Sequence, residues 1–297
     1  MSASRKSVGG GWTSGAHVSA FQRKHGRASR LVMMATPEGS WGDVKRQPVV
    51  GGNWKSNGDM DFVNSFPEKV LNASEYDAEK MSVCVAPTDI HLTGVKAQVK
   101  DHINVMAQDV SQYPKGAYTG NVTADQLKDI GVHWTLTGHS ERRTLHNESD
   151  EDVAKKTKAA IENGVTVMAC IGEQLEERES GKTGEVNARQ LKAIADELEE
   201  EHWGHVVIAY EPVWAIGTGK VATPEQAEET HLEIREWLSK NVSDDVAGKT
   251  RILYGGSVNA GNCEELIKKP NIDGFLVGGA SLKDDFKTII EAVAGTV

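Results

Sequence analysis

Residues 206–219 read VVIAYEPVWAIGTG, and this stretch decides the architecture. Its first five residues are apolar without the alternation of a half-buried strand, so the strand they form must be covered on both faces, as in a parallel sheet. Glu211 then places a carboxylate at the strand end, and Pro212 stops the run. Beyond it, Trp214-Ala215-Ile216-Gly217-Thr218-Gly219 is a loop of small and apolar residues with a stiff proline before it and glycines within it. That is the make-up of a lid that closes over a site and excludes water.

Outward from this stretch the same short apolar run recurs, giving strands expected at 49–53, 82–86, 104–108, 134–138, 166–171, 206–211, 251–255 and 274–278. Amphipathic stretches lie between them, for example 150–163, 185–201, 224–240 and 284–292. Thr223-Pro224 pairs an N-cap with a proline at the first helical position, and Gly164 marks a helix stop. Eight strands, each followed by a helix over about 250 residues, specify an α/β chain folded as a closed (β/α)8 barrel. A doubly wound open sheet would need G-x-G-x-x-G after its first strand, where this chain has Gly51-Gly52-Asn53-Trp54-Lys55. No Pro-rich linker interrupts the chain after residue 47, so residues 47–297 are expected to be one barrel domain behind an N-terminal extension, 1–46.

The 297 residues are 38% hydrophobic and 26% charged, ordinary globular material with enough apolar content for a large core. No apolar run approaches the ~20 residues of a membrane span, so no membrane partner is expected. Cys84, Cys170 and Cys263 are far apart in sequence, which argues against a disulfide framework or a structural zinc site. The formal charge is −10. Residues 1–46 carry eight basic groups against two acids, a surplus of +6, so the rest of the chain carries −16. A body so acidic repels a phosphate backbone, and no nucleic-acid partner is expected. The first 36 residues contain no acid and are rich in Ser, Gly and Arg, the composition of a mitochondrial or plastid import leader. A disordered leader, or a true start at Met33 or Met34, fits as well. The cytoplasm is the expected location, with import through the basic extension as the alternative.

In a (β/α)8 barrel the C-terminal strand ends converge on one mouth, so polar residues there read as site residues. They are Asn53 and Lys55 after the first strand, His139 after the fourth, Glu211 after the sixth, Ser257 after the seventh, and Gly278-Gly279 after the eighth. A carboxylate at the edge of an apolar wall gains basicity from desolvation. A strand-end Glu is more often half of a surface salt bridge, but the lid motif and the facing imidazole shift the balance. His139 precedes a helical turn whose positive end disfavours imidazolium, leaving a neutral ring able to donate to a carbonyl. Lys55 can offset developing negative charge, and Asn53 can orient it or bind substrate. Backbone N–H groups at Gly217, Ser257, Gly278 and Gly279 are suited to cradling a phosphate. Gly217-Thr218-Gly219-Lys220 resembles part of a P-loop, yet Trp214 and Val221 occupy its first Gly and its Ser/Thr positions, so ATP is not expected. His139 and His146 have no partners at metal-ligand spacing, and the acidic run 197–201 reads as a solvated helix face.

The motifs GGNWKSNG, GHSERR, CIGE, AYEPVWAIGTGK, YGGSV and GFLVGGASL, in this order, resemble the triosephosphate isomerase family from about Pro48 to the C-terminus. The resemblance implies a TIM barrel and interconversion of D-glyceraldehyde 3-phosphate and dihydroxyacetone phosphate through an enediolate, in glycolysis and gluconeogenesis. From what the family is known for, it implies Glu211 as base, His139 as electrophile, Lys55 and Asn53 as substrate-binding, and Gly217, Ser257, Gly278 and Gly279 as phosphate holders. It implies no cofactor and no metal. It also implies a homodimer, in which the loop 116–120 inserts beside the neighbouring subunit's site, and a structural Arg142–Glu148 pair. Asn121 stands where a Glu is usual in the family, which removes one polar contact across subunits. Two rivals remain. An aldolase-like relative would need a lysine on an interior strand, and none of the eight runs contains one. A non-catalytic phosphosugar-binding barrel would be signalled by loss of Glu211, His139 or Lys55, and all three are present.

Overall fold

The computed structural model describes residues 45–215 and 222–297. Eight parallel strands, β1 (Val49–Asn53), β2 (Ser82–Ala86), β3 (Ile103–Ala107), β4 (Trp134–Thr137), β5 (Thr166–Ile171), β6 (Val206–Tyr210), β7 (Arg251–Tyr254) and β8 (Gly274–Val277), pair in chain order and close on themselves. Closure is through β1 and β8, with Val49 opposite Gly274 and Gly52 opposite Val277. The helices are α1 (Met60–Phe66), α2 (Leu92–Lys96), α3 (Ala124–Asp129), α4 (Ser140–Leu145), α5 (Asp150–Glu162), α6 (Leu175–Glu179), α7 (Thr183–Glu197), α8 (Pro224–Asn241), α9 (Asp244–Lys249), α10 (Cys263–Leu266) and α11 (Asp285–Ala294). The strands are continuous in apolarity because they have two buried faces. Cys84, Met168, Cys170, Val207, Ala209 and Leu253 fill the barrel, while their neighbours Val83, Val167, Ala169, Ile208 and Ile252 belong to the layer packed outside.

Caps fall where the sequence puts them. Thr223 accepts from the Gln226 N–H at 3.2 Å ahead of Pro224, and Gly164 takes φ +77° after α5. Four expected strands run one residue too far, into Gly138, Glu211, Gly255 and Gly278, because each of those residues already belongs to the mouth. The third strand begins and ends one residue earlier than expected. Gln108 leaves the ladder so that its carboxamide can donate to the carbonyls of Lys55 (2.8 Å) and Ala86 (2.9 Å). The acidic run 197–201 is not a helix face: α7 stops at Glu197, Leu198 turns extended with its side chain buried, and a 3-10 turn begins at Glu200.

At the N-terminal end of the barrel, Asp273 ties four elements together. Its carbonyl accepts from Val49 N–H at 3.0 Å, and its carboxylate accepts from Ile252 N–H and from the Arg235 guanidinium, both at 2.8 Å. Arg46 binds its other oxygen at 2.6 Å. Arg235 lies fully buried in α8 and donates further to Ala247 O, Thr250 O and Asn271 Oδ1. Its planar fork matches this fixed set of acceptors, which a lysine could not do.

One turn earlier on α8, His231 is fully buried, its Nδ1 3.1 Å from Asn271 O and its ring edge-on to Tyr210. A carbonyl only accepts, so Nδ1 carries a proton, and the buried Nε2 has no acceptor among the described residues for a second one. Burial holds its pKa down, from 6.5 to about 3. Below pH 6.5 the unfolded chain therefore takes up a proton that the fold refuses, and stability falls as pH drops toward 3, while above 6.5 this group contributes no slope. By pH 4.5 the loss from His231 amounts to roughly 3 kcal/mol. Denaturant unfolding of wild type and His231→Phe between pH 7 and pH 4 is expected to show a shallower pH slope in the variant, and equal slopes would contradict the assignment.

Candidate active site

The mouth is built from strand ends, one group at a time. After β1, Asn53 is buried and its Oδ1 accepts from the Lys55 N–H at 2.9 Å. This bond, with that of Gln108, holds Lys55 at φ +52°, a left-handed backbone that costs a non-glycine residue of order 1 kcal/mol or more. The Lys55 ammonium reaches Glu141 Oε1 at 2.6 Å. After β4, Gly138 turns at φ +67° and delivers His139 as the N-cap of α4. The imidazole Nδ1 accepts from the Glu141 N–H at 3.2 Å. That leaves Nε2 to carry the proton, and Nε2 lies 3.0 Å from Glu211 Oε1.

Glu211 is only 2% exposed, yet its carboxylate meets two groups at the start of α4 and its backbone is tied to β5. Its Oε2 accepts from the Ser140 N–H at 2.9 Å, its Oε1 faces His139, and its own N–H donates to Ile171 O at 2.7 Å. Burial alone would raise the Glu211 pKa, but His139, the Ser140 amide and Lys55 outweigh it and hold the carboxyl below its ordinary value. For His139, burial alone would lower the pKa, and the adjoining Glu211 carboxylate pulls it up instead. That pull lasts only while Glu211 rests against the ring. Once the carboxylate turns elsewhere, burial, Lys55 and the Glu141 amide all favour the neutral Nε2–H form.

Small residues make room for the carboxylate. A Cβ on Gly255 would stand 3.0 Å from Glu211 Cγ and 3.1 Å from Tyr210 O. Gly172, at φ +156°, lies so close that a Cβ would sit 1.8 Å from the Glu211 carbonyl oxygen. After β7, Ser257 Oγ donates to Ala215 O at 2.7 Å. After β8, Gly278 and Gly279 lead into a 3-10 turn over Gly279–Leu282, and Gly278 faces Lys55. One cavity of about 350 Å³ is lined by Asn53, Lys55, His139, Glu211, Ser257, Gly278 and Gly279. Seven of the residues expected at the site thus share one mouth. Gly217, the eighth, lies outside the described residues. A larger hollow of about 800 Å³ beside Lys45 and Arg251 holds no carboxylate–imidazole pair, so chemistry and not volume identifies the site.

Three neighbours escaped the sequence reading. Ser140 acts through its backbone N–H, which no residue type announces, and Glu141 through both its backbone N–H to His139 and its carboxylate on Lys55. Glu173 is different: it is a fully buried acid just past β5, the same signal that singled out Glu211. Its carboxylate accepts from Tyr210 Oη (3.1 Å) and Trp214 Nε1 (2.9 Å) and pairs with Arg178 at 3.2 Å. The Arg178 guanidinium also lies 4.6 Å over the Trp214 ring. The base of the expected lid is therefore fastened to β5 and α6. The Arg142–Glu148 pair forms, joined by Asp109 and Lys156 into a four-charge cluster. Among the described residues no group of three His, Cys, Asp or Glu is placed to hold a metal.

A buried ionised carboxylate, an imidazole beside it and a lysine at the C-terminal mouth of a (β/α)8 barrel define a barrel enzyme equipped for proton transfer. The comparisons with known proteins agree and go further. The family model described as Triosephosphate isomerase matches residues 48–293. A triosephosphate isomerase named chloroplastic from Secale cereale is 54% identical over 267 residues, 90% of this chain and 86% of that one. Another, from Fragaria ananassa, is 50% identical over 90% of this chain and 82% of its own length. The triosephosphate isomerase of Emericella nidulans is 51% identical over 84% of this chain and 99% of its own. The chain belongs to the triosephosphate isomerase family and is an isomerase.

The glycine at 255 offers a test of the geometry. Gly255→Ala presses a methyl group onto Glu211 Cγ, and a displacement of this kind at a reacting group costs up to about 100-fold in turnover. Steady-state kinetics is expected to show kcat reduced at least about tenfold with the melting temperature little changed. An unaltered kcat would mean that the position of Glu211 is not critical.

Proposed function

We propose that this chain interconverts D-glyceraldehyde 3-phosphate and dihydroxyacetone phosphate, with residues 47–297 as one catalytic domain and Glu211 as the base. The observation that carries this reading is the 3.0 Å approach of Glu211 Oε1 to His139 Nε2 inside a cavity that also holds Lys55 and the glycines after β8. The phosphate would rest on backbone N–H groups of Ser257, Gly278 and Gly279, with Gly217 supplied by the lid, and Asn53 and Lys55 would hold the triose end. The substrate carbonyl then takes over the Nε2–H bond that Glu211 occupies in the empty site. Glu211, released from His139 and Ser140, removes the carbon-bound proton, and its basicity rises as those two partners are lost. Lys55 offsets the charge of the enediolate, His139 moves protons between the two oxygens, and Glu211 returns its proton to the neighbouring carbon. None of these steps calls on a cofactor. The reaction fits a place in glycolysis and gluconeogenesis.

A non-catalytic phosphosugar-binding barrel is the rival, and one substitution separates the two readings. In an assay coupled to dihydroxyacetone phosphate consumption, wild type is expected to be active and Glu211→Gln to lose about 100- to 10,000-fold in kcat. An inactive wild type would support the binding barrel, and an active Glu211→Gln would displace Glu211 as the base.

A homodimer is proposed as the working form. Tyr113 and Tyr118 stack at 4.5 Å on an exposed loop, and Ile90 and Leu145 are 84% and 71% exposed, apolar surface that a second subunit would cover. The cytoplasm is the proposed location, and a plastid is the alternative, supported by the relatives named chloroplastic and by the basic, acid-free leader. Native mass spectrometry of the protein purified from cells reads both points at once. A dimer mass with residues 1–36 retained supports the cytoplasmic dimer, loss of that leader moves the protein to an organelle, and a monomer mass refutes the dimer.

A further inference from the structure

The mouth that would admit a phosphate dianion belongs to a chain of formal charge −10. At long range such a body repels its substrate, so a rim cation not cancelled by a neighbouring acid weighs heavily on the encounter. Among the described residues two lysines line the cavity, Lys55 and Lys283. The Lys55 ammonium is 2.6 Å from Glu141 Oε1, so from solvent it presents one end of a neutral pair.

Lys283 stands differently. It is exposed, and its ammonium makes no ion pair or hydrogen bond among the described residues. Its backbone N–H donates to Ala280 O at 3.2 Å, closing the turn that Gly278 and Gly279 open. The residue is thus rooted in the proposed phosphate cradle while its long side chain is free at the entrance. The acids around it are unequal. Asp284 is engaged by Lys69 at 3.1 Å. Glu211 is buried and balanced by His139 and Ser140. Asp285 lines the mouth without a cationic partner among the described residues, and it opposes Lys283.

We infer that Lys283 selects phosphorylated over uncharged trioses at the encounter step, drawing the dianion into the mouth without taking part in the proton transfers, with Asp285 as its counterweight. The choice of a triose phosphate as ligand rests on the isomerase reading above, whereas the steering role rests on the charge layout of the mouth. A through-space role of this kind is screened by salt, since the Debye length shrinks from about 30 Å at 0.01 M to about 8 Å at 0.15 M. A direct contact with bound phosphate would persist.

The test is kcat and KM against ionic strength for wild type, Lys283→Gln, Lys283→Glu and Asp285→Asn, using glyceraldehyde 3-phosphate and unphosphorylated glyceraldehyde. At low salt kcat/KM for the phosphorylated substrate is expected to fall about three- to tenfold in Lys283→Gln and further in Lys283→Glu, and to rise in Asp285→Asn. The differences should collapse at high salt, with kcat and the glyceraldehyde rate within about twofold of wild type throughout. An equal loss at every salt concentration, or an equal loss with unphosphorylated glyceraldehyde, would overturn the inference. Calorimetric binding of inorganic phosphate adds a readout independent of turnover. Lys283- and salt-dependent phosphate binding in a wild type that does not isomerise would refute the isomerase reading and uphold the steering role. Isomerase activity indifferent to Lys283 at all salt concentrations would do the reverse.

Discussion

The barrel closes on one carboxylate. Asp273 precedes β8, and its carbonyl and side chain together engage β1, β7, α8 and the segment entering β1. A barrel has no edges only if its last strand meets its first in a fixed register, and a one-residue slip would exchange the interior and exterior faces of every side chain. Here the register sets Gly52 beside Val277, so the residues that follow each strand, Asn53 to Lys55 and Gly278 to Gly279, emerge side by side. Arg235 makes that closure specific. A buried guanidinium is costly to desolvate, and its pKa is pushed down to about 10, but every direction of its fork finds an acceptor. Removing one member of such a set leaves the others buried and unpaired, which makes the junction all-or-none.

At the opposite end the controlling difficulty is reversed. Glu211 must be buried to be basic and ionised to be useful, and those demands conflict. The site reconciles them with three partners, the Ser140 amide, the His139 ring and the nearby Lys55 charge. Each favours the ionised carboxylate, and on the proposed mechanism the first two are given up when substrate arrives. The strained backbone of Lys55 and the glycines at 172 and 255 belong to the same solution, because they let three strand ends approach more closely than ordinary residues allow. Strain and desolvation are concentrated where the chemistry is expected and are sustained by an ordinary, well-packed barrel beneath.

Much of this was legible in the residues. The continuous apolar runs gave all eight strands because both faces are covered, and the residues that the strand-end rule picked out, Asn53, Lys55, His139, Glu211, Ser257 and the 278–279 glycines, line one cavity. What escaped has physical reasons. Gln108 was read as strand because its residue type says nothing about a carboxamide pulled off the ladder to satisfy two carbonyls. The helix expected through residue 201 fails at Leu198, where burying one leucine outweighs continuing an acidic helix. Nothing in the sequence singles out Asp273 and Arg235, and only the fold brings two residues 38 positions apart into contact. Glu173 could have been found, since it obeys the rule that found Glu211.

The strands that separate the Asp273 junction from the mouth are four to six residues long, a span of roughly 15 Å at about 3.3 Å per residue. That exceeds the distance, about 7–10 Å, over which substitutions commonly influence one another's energetics. The two ends of the molecule are therefore close to thermodynamically independent. Reinforcement at the Arg235 end would add to the unfolding free energy without entering the activation barrier, and reshaping the mouth would spend from a reserve held elsewhere. A lineage carrying this barrel can let its catalytic loops drift while its closure stays fixed.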